Sequence, residues 1–113
     1  MSENDKLNML TILDAIAKII KYSSDCQNAD EFYENERDFD ASMMNFIIIG
    51  EMVLRLSDKF IEENSQIDWH KIRGFRNIVA HDYFGIDAEE VWQIIKTHLP
   101  KLEIDLRAIL KES

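Results

Sequence analysis

Phe46-Ile47-Ile48-Ile49 stand in the middle of a stretch, residues 38–63, whose other apolar members, Met43, Met44, Met52, Val53, Leu56 and Phe60, fit helical spacing. Four consecutive apolar residues point around the whole circumference of a helix, so such a segment belongs either at the centre of a bundle or beneath a second protomer. With three glycines, one proline and few β-branched runs among 113 residues, the chain favours an all-helical fold. Gly50, directly after the apolar run, permits close approach of another helix because it has no side chain. Glu51 is then either a surface carboxylate or a group paired with an arginine, since charges are seldom buried without a partner.

The remaining elements follow from caps and periodicity. Asn4 can cap a first helix running to about Tyr22, with Leu10, Leu13, Ile16, Ile19 and Ile20 as its buried stripe. Residues 23–28 read as a loop, and residues 29–35 as a short acidic helix. After the long helix, 64–67 form a loop, and Asp68 caps a helix that ends near Asp82 as Gly85 arrives. Asp87 with Glu90 forms a capping box, and Pro100 implies a break at Thr97-His98 that divides the last third into 88–96 and 99–111. Short connections between antiparallel neighbours give one domain over residues 1–113, an all-α, up-and-down four-helix bundle with one or two extra short helices. For so small a core, a homodimer is a natural source of further burial.

Charge narrows the function classes. A formal net charge of −9 argues against a long basic groove for nucleic acid, whose sequence-independent affinity comes from Lys and Arg. The distribution is uneven, however. Residues 25–40 hold seven acids against Arg37 alone, whereas residues 69–81 hold Lys71, Arg73 and Arg76 and no acid. The acidic run reads as a solvated connection or as a docking surface for a basic partner. The second stretch leaves room for a small phosphodiester site. Cys26 has no cysteine to pair with, and there is no apolar run near 20 residues and no basic-then-apolar leader, so the expected location is the cytoplasm. His70, His81 and His98 form no metal motif, and no Gly-rich phosphate loop is present, so neither a metal nor a cofactor is expected.

The groups suited to phosphate chemistry crowd into Arg76-Asn77-Ile78-Val79-Ala80-His81-Asp82-Tyr83. Arginine supplies a permanently charged planar fork, and histidine titrates nearest neutrality. On one helix Arg76 and His81 would lie about 140° apart, with Arg73, Asn77 and Ala80 between them and Ile72, Phe75, Ile78 and Val79 opposite. From the residues alone, helix-end hydrogen bonds or a dimer contact explain this group better than a catalytic site does.

Arg76, His81 and Tyr83, spaced Arg-x4-His-x-Tyr, resemble the signature of HepT-like toxins of the HEPN superfamily. The resemblance extends to Ile49-Gly50-Glu51, Ile67-Asp68-Trp69, Arg76-Asn77, His81-Asp82-Tyr83-Phe84-Gly85, Val91-Trp92 and Leu99-Pro100. It implies a metal-independent ribonuclease, an endoribonuclease or tRNA-end nuclease acting on tRNA or mRNA, whose composite cleft forms when two copies pair their motif helices. His81 would be the general base or acid, Arg76 would stabilise phosphoryl charge, and Arg73 and Asn77 would orient RNA. Tyr83 matches the tyrosine that a partner antitoxin, a minimal nucleotidyltransferase of the MntA type, modifies with AMP. The homodimer could also form part of a larger hetero-oligomer, and a non-catalytic, substrate-binding partner subunit of that nucleotidyltransferase is the alternative the resemblance allows.

Overall fold

The structure, a computed structural model, describes residues 1–80 and 85–112. Among them every regular element is helical, as the composition predicts. The first helix, α1 (Glu3–Ser23), is capped by Ser2, whose hydroxyl accepts from the Asp5 amide; the expected cap Asn4 lies inside the first turn. Met9, Ile12, Leu13, Ile16 and Ile19 form its buried stripe, whereas Leu10, expected in it, is 44% exposed. Leu10 lies about 100° round the helix from Met9, on the outer flank. A short helix α2 (Ala29–Glu34) follows, capped by Asn28.

The predicted long helix is divided into α3 (Glu36–Arg55) and α4 (Asp58–Glu63). Leu56 is extended, and Ser57 starts α4 by accepting from the Phe60 amide. The cause of the break is a side chain distant in sequence. Buried Asp5 accepts from both the Ser57 amide (2.8 Å) and the Ser57 hydroxyl (2.6 Å), giving the chain a better partner there than another helical turn. Asn8 also donates to the Arg55 carbonyl, so the start of α1 lies beside the end of α3 and the two run antiparallel. Burial pushes the Asp5 carboxyl up, but its bonds from Ser57 and Ser2 and the nearby N-terminal charge together hold it below its ordinary value.

The motif helix is likewise two pieces, α5 (Trp69–Arg73) and α6 (Phe75–Ala80), joined at Gly74. Asp68 caps α5 as expected, accepting from the Lys71 amide. Gly74, a weak helix former, is where the ladder tightens, with the Asn77 amide bonding the Gly74 carbonyl three residues back. After Asp87, which caps α7 (Ala88–Gln93) as predicted, the chain does not break at Thr97-His98. It continues through a π-helical segment, Ile94–His98, into α8 (Leu99–Glu112). Pro100 can donate no hydrogen bond to the Lys96 carbonyl and its ring crowds that oxygen. The widened turn, in which the Leu99 amide reaches Ile94, absorbs the conflict.

Helix α3 is the centre of the packing: α1 covers one side, and α5 and α6 cross another. Phe46 meets Phe75 edge-on at 5.8 Å, and Phe32 joins Phe39 and Trp92 beneath α2 and α7. Of the four-residue apolar run, Phe46 and Ile49 are buried, while Ile47 and Ile48 pack at the edge of the core and are half-exposed.

Candidate functional site

The site is set by how closely α6 crosses α3. A Cβ placed on Gly50 would lie 2.6 Å from the Arg76 Cβ and 3.2 Å from the Arg73 carbonyl oxygen, so only glycine fits. That crossing brings Arg76 over the next residue of α3, and its Nε forms an ion pair with Glu51 Oε1 at 2.5 Å. Of the two sequence alternatives for Glu51, the arginine pairing is the one observed. Both side chains keep contact with solvent, at 43% and 38% exposure, so the pair is a rim feature that an incoming anion can reach. Arg73 and Asn77 are exposed on α5 and α6. His81 and Tyr83 lie outside the described residues.

An apolar strip borders this pair. Met44 (58% exposed), Ile47, Ile48 and Leu54 (50% exposed) follow α3 at three- and four-residue steps, with Glu51 among them. Together they form an apolar patch along one exposed face of α3.

Sequence reasoning missed a second group of charged side chains. Lys71 of α5, His98 of the π-helical segment and Lys101 of α8 line one cavity of about 280 Å³, with Ile67, Phe75 and Asp105 also in its wall. Lys71, Phe75 and His98 are shared with a neighbouring cavity of about 430 Å³, bordered by Gly74, Ile78, Glu90, Gln93 and Ile94. Burial, then the charges of Lys71 and Lys101, hold the His98 imidazole below its ordinary value. The i, i+3 spacing of His98 and Lys101 was the one local signal; Lys71 joins them only through the fold. Among the described residues no group of His, Cys, Asp and Glu is arranged to hold a metal, and no helix is long and apolar enough to cross a membrane.

A chain whose described elements are all helical, with Arg76 of its Arg-x4-His-x-Tyr sequence on a helix crossing the central one, defines a class, and the comparisons give it a family. Residues 12–109 match the Ribonuclease HepT-like family, and the chain belongs to it. It is 31% identical over 110 residues to "Putative RNase MJ1380" of Methanocaldococcus jannaschii, covering 96% of this chain and the whole of that one. It is 30% identical over 112 residues to "Gamma-glutamylcyclotransferase and putative RNase MJ0434" of the same organism, where 99% of this chain spans half of the longer protein. "Probable ribonuclease HepT" of Thermococcus cleftensis is 25% identical over 103 residues, 91% of this chain and 93% of that one. No solved structure matches the chain significantly.

Proposed function

We propose that the chain is a ribonuclease that works as a homodimeric bundle, its cleft assembled from two copies of the motif helices. The observation that carries this reading is the Glu51–Arg76 pair, half-exposed on α3 and α6 among Met44, Ile47, Ile48 and Leu54. A second copy covering that strip about a two-fold axis would set two Arg76 side chains across one cleft. In the reaction we propose, the ribose 2′-oxygen forms a bond to the adjacent phosphorus as the bond to the 5′-oxygen breaks. One His81 takes the 2′-hydroxyl proton and the other protonates the leaving oxygen, with no metal required. Arg76 neutralises the developing phosphoryl charge, exchanging part of its contact with Glu51 for the phosphate. Arg73 and Asn77 guide the strand.

The cellular role we propose is that of a cytoplasmic toxin in a two-component system, silenced when a minimal nucleotidyltransferase attaches AMP to Tyr83. The added phosphodiester and adenosine would close the cleft by bulk and by charge. Labelled tRNA and mRNA incubated with the protein in EDTA test the core of the proposal. Cleavage that disappears in Arg76→Ala and His81→Ala is expected. A folded dimer without ribonuclease activity would point instead to a partner subunit that presents substrate to the nucleotidyltransferase.

A further inference from the structure

The Lys71–His98–Lys101 group lies on the α8 flank of α5 and α6, whereas Arg76 pairs with Glu51 on the α3 flank. Two cavities meet at His98, one with the cationic groups and one walled largely by aliphatic and aromatic carbon. That combination is what a nucleotide requires: charge for its phosphate and an apolar surface for a flat base. The charged groups lining the two cavities are Asp68 and Lys71 of α5, Glu90 of α7, and Lys101 and Asp105 of α8. Asp68 is committed to capping α5, Glu90 borders only the apolar cavity, and the charges that act on His98 are both positive.

We infer that this cleft is a second RNA subsite, holding a nucleotide remote from the cleaved bond, with its phosphate on Lys71, His98 and Lys101 and its base against Phe75, Ile78 and Ile94. The inference rests on the ribonuclease reading for the identity of the ligand. An α-helix is ~10–12 Å across with its side chains, so a strand passing over α5–α6 from one flank to the other needs only a few nucleotides. Gln93, at the edge of the apolar cavity, donates through Nε2 to Glu89 at 3.0 Å, which leaves its carbonyl oxygen to accept from a base edge. Phosphate binding would favour the imidazolium of His98, so affinity should rise as pH falls through the His98 titration.

The test uses the whole protein and a short single-stranded 2′-deoxy oligonucleotide, which lacks the attacking hydroxyl and so reports binding whether or not the protein cleaves RNA. The His98 ring resonances should shift on titration, and the His98 pKa should rise. The double variant Lys71→Gln/Lys101→Gln, altered at two exposed positions, should bind at least about tenfold more weakly, and its log K against log salt slope should be shallower by ~0.7 for the one phosphate lost. Unmoved His98 resonances in a protein that cleaves RNA would overturn this inference and leave the ribonuclease reading standing. Oligonucleotide bound at His98 by a protein that cleaves nothing would do the reverse. Equal His98 shifts from inorganic phosphate at the same concentration would also overturn it, because the base would then contribute nothing.

Discussion

Gly50 lies directly beneath Arg76, so close that a methyl group on Gly50 would stand 2.6 Å from the Arg76 Cβ. The obstacle is the root of a side chain flanked by backbone, not the end of a flexible one, so it cannot move without moving α6. Gly50→Ala should therefore destabilise the protein by about 1–3 kcal/mol, the usual cost of overpacking. The corresponding fall in melting temperature is roughly 4–20 °C for a domain of this size. Calorimetry checks it, and an unchanged melting point would mean that α6 can move away from α3 at no cost.

Glu51→Gln should behave differently. The pair is substantially exposed, so its loss should alter stability by no more than ~1 kcal/mol. On the proposed mechanism its effect belongs in the reaction, where an unanchored Arg76 would sample more positions. We expect slower single-turnover cleavage with an unchanged melting curve; equal cleavage rates would assign Glu51 no positioning role.

Acid should weaken the fold in two steps whose signs are fixed by two side chains. His98 is held below its ordinary 6.5, chiefly by burial. The unfolded chain therefore takes up that proton first, and stability declines as pH falls from about 6.5 through the lower folded value. Asp5 is held below 3.8, so its contribution is complete above 3.8 and is lost as pH falls through its folded value. Denaturant midpoints measured from pH 8 to pH 3 should show the first step vanish in His98→Gln. Asp5→Ala, which strands the Ser57 amide, should cost roughly 2–3 kcal/mol at neutral pH.

The strip on α3 can be tested without disturbing the core. Met44→Asp and Leu54→Asp alter side chains that are half or more exposed, so each monomer should remain folded by circular dichroism. Light scattering should show the parent protein as a dimer and each variant as a monomer. If both variants retain the dimer mass, the interface lies elsewhere.

For the reaction itself, Arg76→Ala and His81→Ala should each reduce RNA cleavage by about 10²–10⁴-fold with helix content intact. Tyr83→Phe keeps the ring but removes the oxygen proposed to accept AMP. Incubated with the nucleotidyltransferase and ATP, the parent protein should gain AMP increments by intact mass and Tyr83→Phe should gain none. Increments that persist, or that move to Tyr22 or Tyr33, would require a different acceptor.

Much of this was legible before the fold was known, and the misses share a cause. Caps at Asp68 and Asp87 could be read because their partners lie two or three residues away. The closeness allowed by Gly50 was readable from its missing side chain, and Arg76 as the arginine that Glu51 meets was consistent with the motif. The break between α3 and α4 was not readable, because what ends the helix is Asp5, 52 residues before Ser57. Nor could periodicity show that Leu10 lies outside the buried stripe, since its spacing to Leu13 is as helical as any other. The cluster at His98 joins α5 to the chain's last helices, and no local pattern encodes such a meeting.

The widened turn at Ile94–His98 behaves as one residue spliced into a continuous helix. Closing that turn into ordinary α steps with every residue kept, as a Pro100→Ala change would allow, would carry everything downstream through ~100°. Leu99, Leu102 and Leu106, now buried, would swing off the core, and Lys101 would leave the side of Lys71. The phase of the last helix, and with it the placement of His98 between two cavities, therefore depends on a widened turn that a chain without Pro100 would have little reason to keep.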